Sequence, residues 1–205
     1  PSRYAICMGN LNYTYTIWDI CHRENPEFPE VRIRQEFEIR EFIYHNVLPK
    51  ATGIVVDSAQ SKLKLSKIYN LESEKIIVIP FEPAPVIKDF NRKSKKNNYL
   101  KLNKLLNSPY IFYPAQFWSH KNHIYILEGI SILKKIYGLK INVVFTGSDK
   151  GNLSYVKKYS KYLNLLDQIN FLGFVNDELL LDIYLNSFAL VMPTYFGPTN
   201  LPPLE

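Results

Sequence analysis

A chain of 205 residues, 46% of them hydrophobic, is long enough to bury one or two cores, so the sequence predicts a globular protein. Its apolar runs fall short of the ~18 residues of a membrane-spanning helix, and its start does not resemble a signal peptide. Two cysteines, Cys7 and Cys21, are too few for a disulfide framework and predict ordinary thiols in the cytoplasm. The formal net charge of +6 favours anionic partners.

The first part of the chain predicts strands and helices in β-α-β-α-β order. Asp57 or Ser58 is the expected N-cap of the second helix, because short polar side chains accept hydrogen bonds from a first helical turn. Residues 21–31 contain two prolines and predict a loop. The expected strands are 13–20, 52–58 and 75–80, and the expected helices are 32–47 and 58–70.

A basic segment divides the chain. Lys88 to Lys104 contains seven basic residues and one aspartate, which predicts a linker at 87–108 between domains at 1–86 and 109–205. The linker is either a solvated connector or a segment attracted to anionic lipid headgroups or nucleic acid. Nucleic acid is the weakest of these, because the chain has no zinc-finger spacing, aromatic RNA-binding signature or basic recognition helix.

After the linker, strands and helices alternate again. Continuous apolar strands separated by helices are typical of parallel sheets covered on both faces, so we expect two α/β half-domains. Ligands collect at the carboxyl ends of such strands, where the turns PAQFWSHK, TGSDKGN and MPTYFGPTN predict one pocket. The expected strands are 110–115, 141–148, 169–175 and 188–194, and the expected helices are 122–137, 153–163 and 177–184.

The first of these turns places a cation where a helix begins. Ser119 is the expected N-cap, so Lys121 falls in the first turn, against the partial positive charge of its own helix. That position is favourable if an anion such as a phosphate binds both the lysine and the free backbone N–H groups. The alternative is an ordinary solvated lysine.

The last residues predict a second helix start. Asn200 is the expected cap, Pro202 and Pro203 are tolerated in a first turn, and Glu205 follows one turn into the helix. Glu205 is either an acid that suits the start of a helix or a group that contacts a ligand. A second set of backbone donors beside the first favours a diphosphate ligand.

Four motifs, FYPAQFWSHKNH, TGSDKGN, FLGFV and PTYFGPTNLPPLE, occur in this order between residues 109 and 205. Together they resemble the C-terminal, nucleotide-sugar-binding domain of the group 1 retaining glycosyltransferases, which have two facing Rossmann-like domains (the GT-B fold). The sequences of these motifs are similar to those of the branch that builds bacterial cell-surface polysaccharides, including O-antigen and capsule mannosyltransferases. WDICHRENPEFPEV and ATGIVVDSAQSKLKL resemble the family's N-terminal domain more loosely. By this resemblance, the chain is expected to be incomplete at both ends.

The resemblance implies roles for individual residues. Lys121 is expected to contact the donor diphosphate and to act in catalysis, with the backbone amides of Thr199, Asn200 and Leu201 turned toward the same phosphates. Glu205 matches a glutamate that binds the donor ribose.

Two positions depart from the family pattern. Gln116 stands where many members have an arginine, and Gly197 stands where the first glutamate of a pair is usual. The sugar and the details of its activation are therefore left open.

Further site residues follow from the same resemblance. Gly147, in TGSDKGN, belongs to the expected donor site, and Phe174 and Val175 match the region that brackets the nucleotide base. The alternative for Phe174 and Val175 is a place in the strand core. His22 is similar in position to acceptor-side polar residues and is a catalytic candidate, although a lone loop histidine is more often a surface residue.

The resemblance implies a cytoplasmic enzyme that transfers a hexose, of mannose or glucose type, from a nucleotide diphosphate sugar to a glycan or lipid-linked acceptor with retention of configuration. No cofactor and no metal are expected, because the chain lacks the Asp-x-Asp triplet of metal-using transferases. Peripheral contact with an anionic inner membrane face is a further expectation, and nucleic acid is not an expected partner. The alternative function is a non-catalytic α/β module that binds a nucleotide or phospho-ligand.

Overall fold

The computed structural model describes residues 3–83, 109–197 and 200–205. The chain divides into two compact units, one of Pro1–Glu82 with Phe196–Leu204 and one of Pro83–Tyr195 with Glu205. The basic linker expected at 87–108 lies outside the described residues. The predicted domain boundaries, 1–86 and 109–205, stay predictions.

The first unit is built on a three-stranded parallel sheet. Its strands are β1 (Thr14–Thr16), β2 (Gly53–Val56) and β3 (Ile76–Val78), in the spatial order β1-β2-β3. Helices α1 (Cys21–Glu24), α2 (Glu36–Val47) and α3 (Ala59–Tyr69) connect them. The apolar strand residues build a core with α2 and α3, in which Ile54, Val47 and Leu65 are buried. The predicted β-α-β-α-β order is therefore confirmed.

Local structure in the first unit follows short-range hydrogen bonding. The Ser58 side chain accepts the Ser61 N–H at 3.2 Å, so the predicted N-cap of α3 is confirmed. Helix α2 begins at Glu36 rather than at residue 32, because Arg34 and Gln35 have φ of 58° and 59° and cannot continue a right-handed helix. Residues 21–31 are not a loop throughout, since they contain α1 and a 3₁₀ turn at Pro29–Val31.

The second unit is a four-stranded parallel sheet. Its strands are β4 (Tyr110–Pro114), β5 (Asn142–Thr146), β6 (Ile169–Gly173) and β7 (Ala189–Leu190), in the order β6-β5-β4-β7. Helices α4 (His123–Tyr137), α5 (Leu153–Tyr162) and α6 (Asp177–Asn186) alternate with them. The chain moves outward from β4 to β6 and then returns to the other side of β4, which creates a switch point beside the β4 carboxyl end.

Both faces of this sheet are covered, as the apolar strand sequences predict. One face packs Tyr113 and Phe145 against α4 and α5, while the other packs Phe112 and Val144 against Ile183 of α6. The fold is therefore α/β with two parallel sheets. Within residues 3–83, 109–197 and 200–205, every helix is too short or too polar to span a bilayer.

Candidate functional site

Three turns converge at the carboxyl edge of the second sheet. The Ala115 N–H donates to the Thr146 carbonyl at 3.0 Å, which ties the turn after β4 to the end of β5. The Tyr195 N–H donates to the His120 carbonyl at 2.9 Å, which ties the segment after β7 to the same turn. The turns after β4, β5 and β7 thus form one continuous rim, as the sequence predicts.

Gly147 allows the closest approach in this rim. Its N–H donates to the Gly173 carbonyl at 2.7 Å, and its φ is 126°, a conformation that favours glycine. A Cβ on this residue would lie 2.5 Å from the Ala115 carbonyl oxygen. Gly147 is therefore required for the ends of β4, β5 and β6 to meet, and its contact with a donor stays a prediction.

Lys121 does not occupy the first turn of the helix. Ser119–Lys121 is a 3₁₀ turn, and α4 begins only at His123, after Asn122 in a left-handed conformation with φ of 53°. The prediction that Ser119 caps this helix is wrong, because the left-handed residue separates the 3₁₀ turn from α4. The argument that Lys121 opposes the dipole of its own first turn therefore does not hold.

The position of Lys121 is nevertheless well defined. The hydroxyl of Tyr113, which is fully buried, donates to the Lys121 carbonyl at 2.8 Å. Lys121 itself is half-buried. Its backbone is thus anchored to the sheet core two residues before α4, at the edge where ligands of parallel α/β sheets bind.

The start of α4 lacks a side-chain cap. The Asn122 amide donates to the Pro193 carbonyl at 3.2 Å and makes no capping hydrogen bond to α4. The first N–H groups of a helix have no partner inside the helix and attract anions. A 15-residue helix whose N-cap side chain is used elsewhere is therefore suited to an anionic ligand.

A buried histidine at the start of α4 was missed by sequence reasoning. His123 is fully buried and stacks on Phe117, with ring centroids 4.4 Å apart, while Tyr113 and Phe145 lie edge-on or tilted at 5.0 and 5.1 Å. Burial lowers the pKa of His123 to about 4, and the nearby charges of Lys121 and His120 act in the same direction. His123 is therefore a neutral core residue that holds Phe117 in the turn.

A second cation beside this turn was also missed. Gln116 is exposed, and its side-chain oxygen accepts the Trp118 indole N–H at 2.9 Å. The Lys150 ammonium lies 5.7 Å from the centre of the Trp118 ring. Lys150 comes from the turn after β5. The rim has the neutral Gln116 where many family members have an arginine, but it gains a lysine from this neighbouring turn.

Phe174 and Val175 follow the end of β6. Phe174 is 83% exposed, so it is not a core strand residue, whereas Val175 is half-buried. A large exposed aromatic ring at the carboxyl end of a parallel strand is available to a ligand. Contact of Phe174 and Val175 with a nucleotide base stays a prediction.

The final residues form a short 3₁₀ turn, Pro202–Leu204, rather than the expected start of an α-helix at Asn200. Asn200 donates to the Gly197 carbonyl at 3.4 Å, and Leu201 is 39% exposed. Thr199 lies outside the described residues. The phosphate contacts expected from Thr199, Asn200 and Leu201 stay predictions.

Glu205 accepts a hydrogen bond from the hydroxyl of Tyr184 on α6, at 2.6 Å. Burial raises the pKa of Tyr184, and the hydrogen bond to the Glu205 carboxylate raises it further. Tyr184 was not identified from the sequence as a residue near the site. It fixes the direction of the Glu205 side chain, and the contact of Glu205 with a ribose stays a prediction.

His22 lies in the first unit and is completely buried, within α1 rather than in a surface loop. Its Nε2 lies 2.7 Å from Glu41, which also accepts hydrogen bonds from Arg23 at 2.8 Å and from Tyr69 at 2.6 Å. Burial raises the pKa of Glu41, but the hydrogen bonds from Arg23, Tyr69 and His22 outweigh it and lower the value to about 2. The surface alternative for His22 is wrong, and its catalytic role stays a prediction.

The described ranges hold no group of three or more histidine, cysteine, aspartate or glutamate side chains that could bind a metal ion. Metal independence stays a prediction.

Comparison with known proteins identifies relatives of the chain. Residues 94–205, more than half of its length, match the family described as glycosyl transferases group 1. The chain is 26% identical over 195 residues to the O-antigen chain mannosyltransferase RfbU of Salmonella typhimurium, which covers 95% of this chain and 49% of the relative. The chain thus spans about half the length of this curated relative.

Solved structures share the fold. WaaG, a glycosyltransferase involved in lipopolysaccharide biosynthesis, superposes with a TM-score of 0.69 at 15% identity, over 89% of this chain and 50% of WaaG. Sucrose-phosphate synthase from Thermosynechococcus elongatus gives 0.66 at 16% identity, over 93% and 46%. Anabaena HepE in complex with UDP gives 0.63 at 12% identity, over 97% and 53%.

Proposed function

Because the chain belongs to the group 1 glycosyl transferase family, we propose that it transfers a hexose from a nucleotide diphosphate sugar to a glycan acceptor. The observation that carries this proposal is the rim of the second sheet, where three turns join beside the uncapped start of α4. This arrangement supplies backbone donors and a nearby lysine at one edge of a parallel sheet. Such a combination suits the binding of a diphosphate.

Lys121 and the first N–H groups of α4 have the central role in the proposed reaction. Negative charge grows on the departing diphosphate as the bond to the sugar breaks. Donors that are already fixed stabilise this charge without reorganising, and the Tyr113 hydrogen bond fixes the backbone of Lys121. Lys150 adds positive charge from the neighbouring turn, which compensates for the neutral Gln116.

The remaining donor contacts are proposed from the exposure of one side chain and the hydrogen bonding of another. Phe174 offers its exposed ring to the base. Glu205, directed by Tyr184, accepts hydrogen bonds from the ribose hydroxyls. Gly147 holds the strand ends together at the proposed donor site, because a side chain there would enter the Ala115 backbone.

The finer features of the reaction belong to the same proposal. We propose retention of configuration and no metal requirement, and mannose as the first sugar to test, given the similarity to an O-antigen mannosyltransferase. The proposed acceptor is a glycan or lipid-linked glycan, reached in the cytoplasm at the inner membrane face. The basic segment 87–108 supports contact with anionic lipid through its charge.

The test is a transfer assay on the full-length protein with uridine, guanosine and adenosine diphosphate sugars. Release of free nucleoside diphosphate together with a glycosylated product is the expected result, and NMR of the product reports whether the anomeric configuration is retained. Tight binding of a nucleotide sugar without release, in the presence of glycan acceptors, would identify a non-catalytic binding module instead.

A further inference from the structure

Helix α4 has apolar residues on two opposite faces. Ile126, Leu127 and Ile130 are buried against the sheet. On the other side, Tyr125, Ile132 and Ile136 are 66%, 49% and 69% exposed. Their spacing of seven and four residues places them in one stripe along the helix, directly opposite the core. A surface helix that packs on one side only normally has polar residues in this stripe.

Helix α5 extends this surface with tyrosines. The rings of Tyr155, Tyr159 and Tyr162 follow one another at 6.1 and 5.8 Å, and Tyr155 and Tyr162 are 53% and 76% exposed. The Tyr159 hydroxyl donates to the Glu128 carboxylate of α4, which joins the two helices. We call the surface formed by Tyr125, Ile132, Ile136, Tyr155 and Tyr162 the α4–α5 face.

The α4–α5 face has an excess of positive charge. Residues 123–162 contain seven lysines and two acidic residues, and one of the two, Glu128, accepts the Tyr159 hydrogen bond. Lys134 and Lys140 pair with Asp167 at 3.7 and 2.9 Å. Lys158 and Lys161 are exposed on α5, which has no acidic residue. A second copy of this face would bring lysines against lysines, which disfavours self-association. A negatively charged surface is the complementary partner.

We propose that the α4–α5 face binds an anionic lipid leaflet, with α4 lying parallel to the membrane plane. Its isoleucines enter the boundary of the acyl chains, its tyrosines lie at headgroup level, and the lysines pair with lipid phosphates. The 15 residues of α4 are too few to span ~30 Å of hydrocarbon. The residues of this face are not part of the basic segment 87–108 in the sequence, and the proposal does not depend on the transfer reaction.

Sedimentation of the full-length protein with vesicles tests the proposal. Vesicles of phosphatidylglycerol and phosphatidylcholine are compared with vesicles of phosphatidylcholine alone. The double variant Ile132→Gln/Ile136→Gln is expected to partition about tenfold more weakly onto the anionic vesicles, because it loses two apolar anchors. The double variant Lys158→Glu/Lys161→Glu is expected to lose at least as much, and the binding that remains should be less sensitive to salt than that of the isoleucine variant.

Two controls match these variants in chemistry. Leu185→Gln changes a residue that is 52% exposed on α6, which covers the opposite face of the sheet, and should bind as the unchanged protein does. Lys50→Glu/Lys67→Glu alters net charge equally at exposed sites of the first unit and should have a smaller effect than the α5 pair. Circular dichroism establishes that each variant is folded.

Two results would overturn the proposal. Unchanged vesicle binding of the Ile132→Gln/Ile136→Gln variant would mean that the basic segment or another surface carries the attraction. A dimer seen by analytical ultracentrifugation without lipid, and abolished by the same variant, would make the face an interface between copies of the chain. Transfer to a soluble acceptor without vesicles is expected to be unaffected, so failure of this proposal is distinguishable from failure of the proposed reaction.

Discussion

Gly147→Ala is the most direct test of the strand-end rim. Any non-glycine residue at a φ of 126° costs about 1–3 kcal/mol in backbone strain. The added Cβ also meets backbone atoms, at 2.5 Å from the Ala115 carbonyl oxygen and 2.8 Å from the Gln116 nitrogen. Backbone cannot rotate away as a side chain can, so the ends of β4 and β5 must separate, at a further cost of about 1–3 kcal/mol.

Gly151→Ala is the matched control for this experiment. Gly151 belongs to the same turn and has a φ of 101°, but nothing lies within 4 Å of a Cβ added there. It therefore reports the backbone strain alone. We expect Gly147→Ala to lower the free energy of unfolding by about 1–3 kcal/mol more than Gly151→Ala does.

Chemical denaturation, followed by circular dichroism, measures the free energy of unfolding of both variants. Calorimetric titration with a nucleoside diphosphate measures their nucleotide affinity. Gly147→Ala is expected to weaken nucleotide binding as well, because it moves the turn that precedes Lys121. Equal destabilisation by the two alanine variants would refute the claim that close approach at Gly147 holds the rim together.

Three further predictions concern side chains of the second unit. Lys121→Ala should lower kcat/KM about a hundredfold, equivalent to about 2–3 kcal/mol of transition-state stabilisation, with Lys67→Ala as an exposed control; a loss below threefold would contradict the phosphate role. Burial lowers the pKa of His123 from 6.5 in the unfolded state to about 4 in the folded state, so the unfolded state binds more protons between these pH values. The free energy of unfolding should therefore fall by up to about 3 kcal/mol as the pH drops from 6.5 to about 4. His123→Phe should flatten that slope when denaturation curves are recorded at several pH values, and an unchanged slope would contradict the prediction. Tyr184→Phe should weaken donor affinity about threefold to tenfold in calorimetry by releasing Glu205, and unchanged affinity would separate Glu205 from the ribose.

The sequence predicted the order of strands and helices well, because this order depends on continuous apolar runs. The central strands β2, β4 and β5 lie inside the predicted ranges, since their residues are buried on both sides. Helix starts were less predictable. Arg34, Gln35 and Asn122 all have positive φ, and nothing in the surrounding pattern marks these conformations, which depend on tertiary contacts.

The burial of individual polar residues could not be predicted from the sequence either. His22 can be buried because its ring is hydrogen-bonded to Glu41, 19 residues away, which also accepts hydrogen bonds from Arg23 and Tyr69. His123 is buried because three aromatic rings from β4, β5 and the intervening turn surround it. Aromatic residues before a histidine were visible in YPAQFWSHKNH, but the pattern does not tell a histidine that packs among rings from one that meets solvent.

Asn122 explains why the start of α4 is uncapped and why Lys121 has a fixed position. A residue with φ of 53° turns the chain between the 3₁₀ turn and α4, and its amide then donates to the Pro193 carbonyl instead of capping the helix. The position of Lys121 is therefore fixed from two sides, by Tyr113 within β4 and by the segment that follows β7. Because Thr194 and Tyr195 in that segment also donate to the His120 carbonyl, the lysine and the start of α4 are held as one unit. The start of the helix remains available to an anion because the residue best suited to cap it stabilises the rim instead.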